Sequence, residues 1–142
     1  MPAMLVMAVA TAAAAAATAP EGSAARNSSA EALAALRAEM LAGPWSDIVD
    51  ELRRVVETEE RPAVRDDAVL TLQRVLLASD GLNAPPSHWA PMLETRLLPT
   101  LAAVGERCRR ARGGGEARAA VERTAHLAVS CVAKTFLARL PA

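Results

Sequence analysis

Apolar residues recur along the chain at spacings of three and four, and this period predicts helices throughout. Ala32, Leu33, Leu36, Met40 and Leu41 make the first stripe, in a helix over 30–42. Ser28 and Glu31 precede it with the spacing of a capping box, and Gly43-Pro44 is a stop signal. Ser46 is placed to cap a second helix, in which Ile48, Val49, Leu52, Val55 and Val56 fall on one face. The run Glu57-Thr58-Glu59-Glu60 is unfavourable at a helix C-terminus and marks a short linker. Pro62 suits the first position of a third helix. Its wide apolar surface, from Val64 through Ala68, Val69, Leu72, Val75, Leu76 and Leu77, calls for neighbours on more than one side.

Asp80-Gly81 ends that helix, and 80–87 reads as a loop. Ser87 caps a fourth helix with Trp89, Met92, Leu93, Leu97 and Leu98 facing inward. Pro99 interrupts the pattern, so a kink or break is expected near Leu98, with Leu101, Ala102 and Val104 continuing beyond it. Gly113-Gly114-Gly115 separates this segment from a fifth helix over 116–139. Val121, Ala125, Ala128, Val132 and Phe136 share its expected buried stripe, widened by Leu127, Cys131, Thr135 and Leu140.

The expected fold is therefore all-α: about five helices in antiparallel pairs, stacked as in an α-solenoid of HEAT or TPR type. No sequence repeat at a fixed period is evident. Residues 1–27 read as an Ala-rich leader, disordered or loosely helical, and residues 28–142 as the helical domain. The last helix runs into Pro141-Ala142 with no polar capping repeat, so a truncated array is expected.

Composition narrows the function classes. With 16 basic and 16 acidic residues, the formal charge is zero, which argues against a chain-wide nucleic-acid or anionic-membrane binder. Trp45, Trp89 and Phe136 are the only aromatics, too few for a β-sandwich or for base-stacking platforms. Two cysteines, Cys108 and Cys131, give neither a disulfide framework nor zinc-ligand spacing, and read as small apolar residues on helices. His88 and His126 have no partners at metal-ligand spacing. The adjacent pairs Asp66-Asp67 and Glu59-Glu60 diverge on a helix and form no catalytic dyad. No nucleotide-binding, protease or hydrolase motif is present. The expectation is a non-enzyme with no cofactor, no metal, no small-molecule substrate and no nucleic-acid partner.

One charged cluster stands out: Arg107, Arg109, Arg110 and Arg112. It reads either as a helix C-terminus, whose carbonyls favour cations, or as a contact for anionic lipid or an acidic partner. Residues 1–20 carry no charge and include an A-x-A pattern at Ala17–Ala19, while Asn27-Ser28-Ser29 is a glycosylation triplet. A small secreted helical domain is thus one alternative, and a stand-alone helical adaptor another.

Several fragments, in order, carry a family resemblance. They are Val64-Arg65 through Ala68; Leu72-Gln73-Arg74 with Leu76-Leu77; Trp89; Leu97-Leu98-Pro99 with Leu101; and Ala133-Lys134-Thr135-Phe136-Leu137 with Leu140. Over roughly residues 45–140 the chain resembles the C-terminal helical region of the large Golgi-type Arf guanine-nucleotide exchange factors, the brefeldin A-resistance and GNOM class. The resemblance implies a regulatory helical segment of a larger cytosolic protein, peripheral to Golgi membranes. Its expected partners are the rest of the exchange factor or Golgi recruitment factors. Nothing matches the family's exchange domain, so no catalytic residue carries over.

Overall fold

A computed structural model describes residues 24–78, 84–111 and 113–139. Among these the regular elements are all helical: α1 (Ala24–Ala42), α2 (Pro44–Thr58), α3 (Pro62–Ala78), α4 (Pro86–Met92), a π-helical turn (Leu93–Leu97), α5 (Leu98–Arg110) and α6 (Glu116–Arg139). The proposed signal-like segment, the Asp80-Gly81 stop, Arg112 and Leu140 lie outside the described residues. The described residues form two compact units, one of 24–47 with Ala84, the other of 48–78, 85–111 and 113–139.

In the first unit α1 starts at Ala24, so Ser28 and Glu31 lie inside the helix rather than capping it. Pro44 takes the first position of α2, where its missing N–H costs nothing. Ser46 is buried in the first turn, and its hydroxyl donates to the Leu41 carbonyl at 2.6 Å. It thus serves the end of α1, where carbonyls lack helical partners, instead of the start of α2.

In the second unit the helices pair by polar contacts whose register can be read directly. Arg96 and Thr100 reach Asp50 and Arg53 of α2, at 2.9 and 2.8 Å, and Arg107 reaches the Glu57 and Glu59 carbonyls at 3.0 Å. Residue numbers rise together, so α2 and the α4–α5 segment run parallel. Arg123, Thr124 and Arg139 likewise meet Asp66, Asp66 again and the Leu76–Leu77 carbonyls, so α3 and α6 run parallel. The Cys108 thiol approaches the Val121 carbonyl at 3.6 Å, which pairs the end of α5 with the start of α6 in antiparallel sense. Two antiparallel hairpins, α2/α3 and α4–α5/α6, are therefore stacked in parallel register, the arrangement of an α-solenoid.

Pro91 and Pro99 explain why the fourth predicted helix is neither straight nor broken. Neither proline can donate a helical bond, and each ring crowds the preceding turn. The chain widens instead into the π turn, with the Leu98 N–H bonded to the Leu93 carbonyl five residues back. Thr95 Oγ1 donates to the Pro91 carbonyl at 2.6 Å.

The core of this unit is Val49, Val56, Val69, Leu72, Leu76, Met92, Leu97 and Val104, all nearly or completely buried. The buried face of α6 keeps part of the expected stripe and shifts from the rest. Ala128, Cys131 and Thr135 are buried as expected and Thr124 joins them, while Phe136, expected inside, is about half exposed, as is Val129. Packing on α3 is extensive, and small side chains let two helix backbones come close. The threonine hydroxyls are satisfied locally: Thr135 donates to the Cys131 carbonyl at 2.8 Å. Thr124 accepts from Arg65 Nε at 3.2 Å and lies 2.6 Å from Asp66 Oδ1, to which it donates.

Thr124→Val keeps the shape of that contact but removes its hydroxyl, leaving Arg65 and Asp66 short of a partner in the interior. The expected loss is about 1–3 kcal/mol, read from the urea midpoint. A change below about 0.3 kcal/mol would show that the relay contributes nothing.

Candidate functional site

The carbonyls that end α2 and α3 are held by arginines from elsewhere in the sequence. Arg65, only 3% exposed, donates from Nη1 to the Glu59 and Glu60 carbonyls at 3.3 Å. Arg107 adds bonds to Glu57 and Glu59, and its Nη2 lies 3.6 Å from the Glu60 carboxylate. Burial, with Arg107 close by, pushes the Arg65 guanidinium below its ordinary range, yet an arginine stays charged at neutral pH. Two cations thus offset the acidic residues that made this helix end unfavourable. Glu59 itself is paired with Arg61 at 2.7 Å, whose hydrogen bonds hold its carboxyl down at about 2. Arg139 does the same service for α3, donating to the Leu76 and Leu77 carbonyls at 2.9 Å.

These placements divide the arginine cluster. Arg107 is committed to the end of α2. Arg109 and Arg110 are exposed and share one carboxylate, Glu106, at 2.6 and 3.1 Å. Arg112 lies outside the described residues.

The other cluster is apolar. A groove of about 630 Å³ opens between the α4–α5 segment and the C-terminal half of α6. Trp89, Leu93, Leu98 and Leu101 form one wall, Val129, Val132, Ala133 and Phe136 the other. Glu94 and Arg139 are the charged residues in its lining. The Arg139 guanidinium stacks 4.7 Å from the Trp89 ring centre, which joins the groove to the end of α3. Leu137, 77% exposed, stands beside this face on α6. Sequence reading offered Trp89 as part of a partner groove but placed Phe136 in the core and so missed the α6 wall. The signal was present, because Val129, Val132 and Phe136 keep an i, i+3, i+7 spacing.

The two cysteines are free thiols, Cys131 buried and Cys108 half-buried. Burial pushes the Cys131 thiol up to about 11, which makes it a packing residue rather than a nucleophile. His126 is exposed, whereas His88 is half-buried with its ring edge-on to Trp89 at 5.0 Å. Among the described residues no helix is long and apolar enough to cross a membrane.

Stacked antiparallel hairpins with an open apolar face define a helical-repeat segment, a class of fold built for contact along its surface. The pattern of the GBF1-like tetratrico peptide repeat region matches residues 45–142, which takes in α2 to α6. The chain belongs to this family, the helical regions of GBF1-like Arf guanine-nucleotide exchange factors. No curated protein sequence and no solved structure matches it.

Burial, followed by the positive charge of Arg96, lowers the His88 pKa from 6.5. The fold therefore favours the neutral ring, and its contribution is present above 6.5 and lost as pH falls through the lowered value. Stability should drop between pH 7 and pH 5 by more in the native chain than in His88→Gln. Equal drops in the two, followed by thermal melts, would remove His88 from this account.

Proposed function

We propose that the chain acts as a non-catalytic scaffold segment of a large Arf guanine-nucleotide exchange factor, presenting helical surfaces to protein partners in Golgi vesicle traffic. The observation that carries this reading is the family match over α2–α6. It coincides with the hairpin stack that presents the open groove. TPR-like repeats are a non-catalytic helical type that generally mediates protein contacts. The working site would be cytosolic, at the periphery of Golgi membranes, with the exchange reaction carried by another part of the factor.

Long-read sequencing of the transcript tests this directly. An open frame continuous with an exchange domain is the expected result. A frame that begins at Met1 and ends at Ala142 would make the chain a free-standing adaptor instead. Purified chain should also leave Arf nucleotide release at its spontaneous rate, followed with a fluorescent guanine nucleotide.

Arg109 and Arg110 supply a subsidiary reading. Two exposed cations share one carboxylate, which leaves one positive charge for a headgroup phosphate or an acidic partner. Arg109→Gln with Arg110→Gln should weaken salt-sensitive binding to vesicles rich in phosphatidylserine. Arg107 is left intact in that test because it holds the end of α2. Unchanged binding would reduce the pair to helix-end ion pairs.

A further inference from the structure

We propose that the turn between α2 and α3 binds a phosphate dianion, held by Arg65 and Arg107. Both guanidinium groups are brought onto one oxygen: the Glu59 carbonyl accepts from Arg65 Nη1 at 3.3 Å and from Arg107 Nη1 at 3.0 Å. Arg65 is 3% exposed, yet each acceptor it meets is neutral: the Thr124 hydroxyl and the Glu59 and Glu60 carbonyls. Its Nη2 is buried and has no acceptor among the described residues. Its strongest charged neighbour is another cation, Arg107. A buried charge of this kind ordinarily has a counter-charge against it.

The chain's own carboxylates are engaged elsewhere. Glu57 is taken by Thr100 and Arg53, Glu59 by Arg61, and Asp66 by Arg123 and Thr124. Glu60 remains, its side chain 91% exposed and 3.6 Å from Arg107 Nη2, too far for a hydrogen bond. The end of α2 offers carbonyls, but a helix terminus carries only about half a unit of negative charge, against two guanidinium charges. Guanidinium forks match the oxygens of phosphate in spacing and plane. A phosphate arriving on the solvent side displaces the loosely held Glu60 carboxylate and bonds Arg107 Nη2. Arg65 stands behind it as the second positive charge, its Nη2 met directly or through one water. Glu60 is therefore a competitor for the site. Arg109 and Arg110, which share Glu106, are no part of it. The inference is independent of any link to Arf.

The full chain is melted at neutral pH in sodium phosphate and in sodium chloride of matched ionic strength. Tm should rise by about 2–4 °C in about 10 mM phosphate and by less than about 1 °C in the chloride. Glu60→Gln should tighten phosphate binding about fivefold in a phosphorus NMR titration. It should leave the phosphate-free Tm within about 1 °C, because that side chain is exposed. A purely structural role for the two arginines predicts no such gain. Arg107→Gln should abolish the phosphate effect, whereas Arg109→Gln with Arg110→Gln should keep it. If Arg107→Gln does not fold, the native chain and Glu60→Gln decide alone. Vesicles with phosphatidic acid, compared with phosphatidylcholine alone, separate the sources: sedimentation strengthened by Glu60→Gln assigns a lipid headgroup, and an effect of free phosphate alone assigns a soluble anion. The proposal is overturned if phosphate acts no more than chloride and phosphatidic acid adds no binding. It is equally overturned if the effect is unmoved by Glu60→Gln or is lost with Arg109 and Arg110.

Discussion

A helix must do something with its last carbonyls, and in the second unit that need sets the register of everything else. The end of α2 is crowded with Glu57, Glu59 and Glu60, the wrong charges for a negative helix terminus. Arg65 and Arg107 take its carbonyls from two different helices. The end of α3 is taken by Arg139 of α6. In the two longer-range cases the donor sits in the last turn of the helix that runs parallel to the one it serves. Each such bond fixes how far one helix can slide along its neighbour. A buried acceptor left without a donor costs more than a made bond gains, so these contacts discriminate strongly between registers.

A second device repeats across the same interfaces. A threonine stands between an arginine and a carboxylate in each: Arg53, Thr100 and Glu57 where α2 meets α5, and Arg65, Thr124 and Asp66 where α3 meets α6. The threonine is short enough to keep the helices close and polar enough to satisfy both charges. Large apolar residues supply burial, while these relays and the helix-end arginines choose one alignment among several that burial alone would permit. The same logic accounts for the exposed side of α6. Its small face is spent on close approach to α3, which turns Val129 and Phe136 outward and opens the groove.

Much of the helical layout was legible in the chain. The 3.6 period and its punctuation gave the all-α architecture, the bounds of α6 at 116 and 139 and the start of α3 at Pro62, whereas Pro44, read as the stop of α1, is the residue that opens α2. Pro99 signalled a disturbance, although the helix answered it with a π turn rather than a break. The caps were less legible. Ser46 looked like the start of a helix and serves the end of the previous one, because the same hydroxyl can donate as well as accept. The arginine cluster looked like one site and is at least two, since Arg107 reaches the carbonyls that end α2 while Arg109 and Arg110 share Glu106 on their own helix.

The family, too, was readable in the order of its fragments, and the match over residues 45–142 agrees with it. What the sequence by itself determined was periodicity: where helices lie, which stretches are amphipathic, and that the class is a helical repeat. Only the tertiary structure decided which stripe of a helix is inside. A helix such as α6 carries both a small stripe and a large apolar one, and spacing ranks them by hydrophobicity. Packing ranked them instead by how closely two backbones could approach while satisfying the arginine and carboxylate beside them. That balance depends on partners roughly 60 residues away in the chain, as with Arg65 and Thr124, and a local pattern cannot contain it.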